Sequence, residues 1–447
     1  MAVNTYFKSL YDRVVKYSIK AECCEPLHIG SNTGEKGGML IHSVSGSPFI
    51  QATGIAGAFR DFYSYDEKLQ KELFGTQEDE DISGSKVRFS DGFFDHASVY
   101  TELRPRVRID RKTGTCQSNS VNGGSVSSGQ KFEMEVVSAG SAFSFDIYLY
   151  EKECDYQADL EKALAALHHG TIQFGGQKSN GCGYISLKAV EKAVYDMKDQ
   201  QDRILWQDES KKGENIILKI ENAAGTVDEQ IHYELSGRTE GGILVKSVFV
   251  SEYGESAPNA ENIRNHRKEY IIPASSIKGV VRSQIERICA YKNIDKKTID
   301  AIFGKAGDKG EGDGILGCVR FHDCIIGDVE SYDKIPAQAR IHIDKFTGGV
   351  MNQGLFSEKP AGGEIHIKAD ITQAGDDRAK ALLLLALRDI GIGMIPLGSG
   401  SNIGRGYIQA DTLNIKQGGK QIAELNFADN RISGDVATVN GYLAALQ

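Results

Sequence analysis

The chain carries the same ordered series of segments twice, and this repetition limits its possible folds more than any other feature. PFIQATGIAGAFR at 48–60 matches YIIPASSIKGVVR at 270–282, and each is followed by a Phe-Gly pair, Phe74-Gly75 and Phe303-Gly304. KVRFSDGFF (86–94) then matches CVRFHDCII (318–326), and RVRIDRKTGT (106–115) matches RIHIDKFTGG (340–349). Both series close on a glycine-rich loop that runs into a strand, FGGQKSNGCGYI at 174–185 and LGSGSNIGRGYI at 397–408. Each copy spans roughly 200 residues, which makes the copies whole domains and excludes the short units of a solenoid. The expected organisation is a first domain over 1–194, a polar linker over 195–215 and a second domain over 216–447.

Composition agrees with two ordinary globular cores: 40% of the 447 residues are hydrophobic and 25% charged. The N-terminal stretch is amphipathic and no long apolar run occurs, which points to a cytoplasmic protein with no membrane partner. The eight cysteines form no CxxC pair and read as reduced thiols, with no metal site. A net charge of −9 argues against non-specific nucleic-acid binding, so any nucleic acid must be held by local basic patches.

Hydrophobic periodicity gives each copy the order β-α-β-β-α-β, an α+β ferredoxin-like fold. In copy 1 we expect a helix at 4–15, a strand at 16–23, a helix at 53–63 capped by Thr53, and strands at 86–90, 104–110, 131–137 and 143–150. A helix at 158–170 and a final strand complete it. In copy 2 we expect strands near 215–221 and 230–235 or 243–249, and a helix at 275–291 capped by Ser275 or Ser276. Strands at 318–326, 339–344 and 364–371, a helix at 377–390 and a strand at 406–415 follow.

The glycine loops follow a helix and enter a strand, the reverse of the order in nucleotide-binding folds, so no tightly bound nucleotide cofactor is expected. They suit either a tight turn needing positive φ or a close approach to an extended polyanion. In the second case Lys178, Ser179, Asn180, Gly181 and Gly183 in copy 1, and Ser401, Asn402, Gly404, Arg405 and Gly406 in copy 2, contact phosphate and sugar. The helix starts offer further donors: Ser275, Ser276, Lys278 and Arg282 in copy 2, but only Thr53 and Arg60 in copy 1, where Ala56 replaces the lysine. The long polar segments after each Arg-rich run should protrude. Arg108, Arg111 and Lys112, or Arg340 and Lys345, sit at their bases, and in copy 2 the apolar Val350, Met351, Leu355 and Phe356 can wedge between bases.

Together, LHIGS (27–31), the YIIPASSIKGVVR helix start, the Phe-Gly pairs, the extended RVRIDRKTGT segment and the terminal GGQKSNGCGYI loop resemble the RAMP superfamily. Within it, the chain is similar to a tandem fusion of two backbone subunits of a type III, III-D-like, CRISPR effector complex. The resemblance implies an RNA-recognition-like palm in each copy with a protruding thumb and a C-terminal glycine loop. It implies guide RNA, complementary target RNA and other effector subunits as partners in antiviral defence.

Active members carry an Asp in the loop after the first strand that cuts target RNA with a divalent metal such as Mg or Mn. Neither 31–47 nor 251–269 contains an Asp here. Glu35 and Glu261 are the substitutes in those loops, with His42 or His266 as a base. Two functions from different classes therefore stay open: a guide-RNA-binding scaffold, and an endoribonuclease that cuts target RNA or processes the guide.

Overall fold

The computed structural model describes residues 11–30, 38–78, 81–110, 131–152, 154–223, 230–247, 258–305, 307, 314–328, 337–372 and 375–446. Its contacts divide the chain into two compact units. Unit 1 holds 1–101, 136–178 and 182–228, and unit 2 holds 102–135, 179–181 and 229–447. The tip of the first glycine loop and the arm beginning at Glu102 are thus counted with the second unit, which separation into domains at 194 and 216 does not anticipate.

In unit 1 the main elements are β1 (Arg13–Cys23), α1 (Ala52–Phe62), β2 (Ala142–Glu151), α2 (Gln157–His168) and β3 (Ile185–Asp196). β1 lies between β3 and β2, antiparallel to both, and the short strands Val87–Phe89 and Gly92–Phe94 pair with the far side of β2. This is the ferredoxin-like sheet order. Alternate residues of β1, among them Val15, Tyr17, Ile19 and Ala21, are buried, because successive side chains of a strand point to opposite faces. They pack with Ile55 and Phe59 of α1 and Leu160, Leu164 and Leu167 of α2 in one core.

Unit 2 repeats the plan with β4 (Ile231–Glu240), α3 (Ala274–Lys292), β5 (Glu364–Ile371), α4 (Asp377–Gly391) and β6 (Tyr407–Gln417). β4 is flanked by β5 and β6, and a hairpin, Lys420–Asn426 with Arg431–Gly434, widens the sheet beyond β6. The duplication reaches the detail of register. A bulge between Lys20 and Ala21 in β1 has its counterpart between Ser236 and Gly237 in β4.

Several expected elements are corrected. The helix expected at 4–15 lies partly outside the described residues, and from Arg13 the chain is already strand. The strand expected near 215–221 is a short helix, Ile217–Glu221, because Ile216 and Ile220 are buried four residues apart, as one helix face requires. The first strand of unit 2 is instead β4. Neither Thr53 nor Ser275 nor Ser276 caps its helix. The N-cap positions are Gln51 and Pro273, and neither side chain caps. The stretch read as linker holds the helix Gln200–Gln207, whose Trp206 ring meets those of Tyr148 and Tyr195 at 5.8 and 5.1 Å, and a strand pair, Glu214–Asn215, added to β3.

Candidate nucleic-acid interface

The missing helix caps come from the matched Asp of the second segment. In unit 1 the Ala52 N–H donates to Asp91 Oδ1 at 2.7 Å, and in unit 2 the Ala274 N–H donates to Asp323 Oδ1 at 2.8 Å. A carboxylate at this point satisfies an orphan donor and complements the helix dipole. It also takes the position at which a phosphate was expected, which leaves the side chains one turn further along as the candidate anion donors of α3. The signal was present in the sequence, since SD and HD occupy the same place in the two copies.

One turn into α3, Lys278 donates to Ser179 Oγ at 2.7 Å. Burial, and then the nearby Arg282 and Arg106, lower its pKa to about 8 from 10.5. Arg282 and Arg106 thus both stand close enough to Lys278 to disfavour its charge. Arg282 gives its Nε to Glu286 at 3.1 Å and stacks over Phe303, which leaves its terminal nitrogens without a partner among the described residues. The cluster joins Lys278, Arg282 and Ser179, named from sequence, with Arg106, which the candidate set missed although Arg106 and Arg340 are matched positions. In unit 1, Ala56 stands in place of Lys278 and Arg60 and Thr53 are exposed.

The glycine loops are turns in their own right. Gly183 and Gly406 have φ of 93° and 84°, and a Cβ at either would strike the carbonyl of Phe174 or Leu397 within its own loop. Each glycine is therefore required by its own loop. Arg405 is likewise corrected: it is 3% exposed, with one guanidinium nitrogen on Glu358 at 2.7 Å and another on Gln338 at 2.6 Å, so it holds the base of the thumb and is not an open phosphate donor. Its neighbours Ser401, Asn402 and Gly404 are exposed, whereas Lys178, Ser179 and Asn180 are half-buried and Gly181 is buried.

The thumb of copy 2 is a two-stranded hairpin, Gln338–Ile343 with Val350–Lys359. Ile341, Ile343, Val350, Met351 and Leu355 are each more than half exposed and Phe346 is 99% exposed. Phe356 is only half-buried among them. Lys345 is exposed at the tip, while Arg340 lies 3.8 Å from Glu358. Asp344 accepts the Thr347 and Phe346 N–H groups at 2.9 and 2.8 Å, and these hold its carboxyl below the usual range. In the copy 1 thumb Arg108 is exposed, and Arg111 and Lys112 lie outside the described residues.

Of the catalytic candidates, Glu35 lies outside the described residues. Glu261 is 3% exposed in a short strand parallel to the thumb, so it does not project from a loop. His42 is half-buried against the rings of Phe49 and Phe93, and His266 sits 3.3 Å from Glu102. Among the described residues no group of three or more His, Cys, Asp or Glu is placed to hold a metal, and no helix is long and apolar enough to cross a membrane.

No curated protein matches the chain at a significant level. One solved structure with a matching chain is a cryo-EM structure of the type III-B Cmr-beta complex bound to cognate target RNA. The identity is 17% and the TM-score 0.31 over 40% of this chain, which spans 61% of that one. The profile of the RAMP superfamily matches residues 20–186 and 248–409, one stretch in each copy and together well over half of the sequence. The chain belongs to the RAMP superfamily.

Proposed function

We propose that this chain is a backbone subunit of a type III CRISPR ribonucleoprotein, holding guide RNA by its sugar-phosphate chain and presenting target RNA to the complex. The observation that carries the reading is the Lys278, Arg282 and Arg106 cluster. A half-buried lysine with its pKa lowered by burial, and then by neighbouring arginines, is costly in the free protein and becomes favourable when a phosphate joins it. Such contacts are blind to sequence, as a subunit serving many guides requires. The exposed apolar hairpin of copy 2 suits contact with unstacked bases. The one solved match named above holds target RNA; guide RNA, effector partners and the III-D-like arrangement belong to the proposal. The nuclease alternative rests on Glu35 and a divalent metal, since Glu261 is buried. The test is to purify the chain with its co-expressed complex and sequence the bound RNA. Repeat-tagged guides at one per complex are expected, and RNA of random sequence would overturn the reading.

A further inference from the structure

The two matched aspartates cap their helices alike but differ in what reaches their second oxygen. In unit 2, Asp323 Oδ2 receives Arg104 Nη1 at 2.7 Å, and Arg104 is steadied by Glu102 at 2.7 Å. The helix start beneath is covered: Pro273 and Ala274 are buried, and a Cβ on Gly181 would press on Ala274. In unit 1, Asp91 Oδ1 holds Ala52 in the same way, but its other oxygen has no partner among the described residues. The helix start is bare there as well. Gln51, Thr53 and Gly54 are exposed, and nothing stands within 4 Å of a Cβ on Gly54 or Gly57. Asp91 also lines a groove of about 460 Å³ together with Asp146 and Glu191, in which Lys20 is the one cation.

We propose that Asp91 and the start of α1 form a docking site for a separate protein subunit that delivers an arginine from an extended strand, as Arg104 is delivered to Asp323. Charge favours such an occupant, and the duplicated site shows the geometry of the pair. A second copy of this chain fits less well, because the residue matched to Arg104 is Gln338, which Arg405 already engages. The proposal uses the preceding reading only in seeking the partner among subunits of the same complex.

The test uses the full chain co-expressed with its complex. Asp91→Asn keeps an oxygen for Ala52 and removes the charge. It should reduce retention of the adjoining subunit by about tenfold in native mass spectrometry, with guide RNA per chain unchanged and the melting temperature of the isolated chain held. In the Asp91→Arg variant an Arg→Asp change in the partner should restore assembly. In the wild type, amide exchange over 51–57 should slow on assembly. Full subunit retention by both Asp91 variants, or unchanged exchange over 51–57, would overturn the proposal. So would a dimer of the isolated chain that Asp91→Asn dissolves, since a second copy would then be the occupant. Loss of RNA from the wild-type complex would count against the guide reading alone.

Discussion

At the scale of single residues, Lys278 ties energetics to function. Its pKa is lowered to about 8, so the folded chain resists its charge. The RNA-free protein should be least stable below pH 8 and should gain stability as pH rises from 8 to 10.5, where the unfolded lysine also loses its proton. Guide affinity should run the other way and fall above pH 8, and denaturation and RNA titration across that range check both signs. Lys278→Ala should therefore stabilise the RNA-free chain while weakening guide binding about tenfold and lowering the salt slope by about one unit. The Arg60→Ala variant should change binding less, because Ala56 leaves that site without its lysine. The glycines give a second contrast. Gly183→Ala or Gly406→Ala forces a Cβ onto a carbonyl of its own loop and should cost more than about 3 kcal/mol in urea denaturation. Gly404→Ala, with φ of 82° but open space around it, should cost only about 1–2 kcal/mol. Lys278 was legible because a cation one turn into a capped helix has a recognisable place in sequence. Arg405 was not, because the Glu358 that neutralises it lies 47 residues away and is brought there by the thumb.

At the scale of elements, the two helix starts look alike and should break differently. Asp91→Ala removes a cap, worth about 1 kcal/mol. Asp323→Ala removes the same cap and also strips Arg104, whose side chain is 9% exposed, of one carboxylate, so about 3–5 kcal/mol is expected from equilibrium unfolding. The copy 2 thumb should behave oppositely. Phe346→Ala touches a ring exposed at the tip, so stability should not change, while target-RNA association should slow if the hairpin meets unstacked bases. Most elements could be read from periodicity, and α2, β5 and α4 fall within about two residues of expectation. The Ile217–Glu221 helix was misread because its one buried isoleucine, Ile220, and the buried N-cap Ile216 stand four residues apart, a spacing that satisfies either period. The caps escaped notice because Asp91 and Asp323 lie about 40–50 residues from the N–H groups they satisfy, and local cap rules look only at neighbours.

At the scale of the whole molecule, the duplication and the fold of each copy were legible from sequence, while the division of contacts was not. Matching segments report common descent and say nothing of which body each segment joins. Residues 102–135 and 179–181 belong by contact to unit 2, so a fragment 229–447 expressed alone should lose cover over Pro273 and Ala274. It should melt below the full chain and exchange the first amides of α3 at least tenfold faster by hydrogen exchange. A fragment as stable as the intact protein would refute that expectation. The same arrangement bears on how such a gene can change. Gly181 meets Ala274 and Phe321, so a substitution in the first half of the reading frame is judged by selection against residues encoded far downstream. The two halves can drift in sequence, yet a half taken from a relative should fit only when its counterpart comes with it.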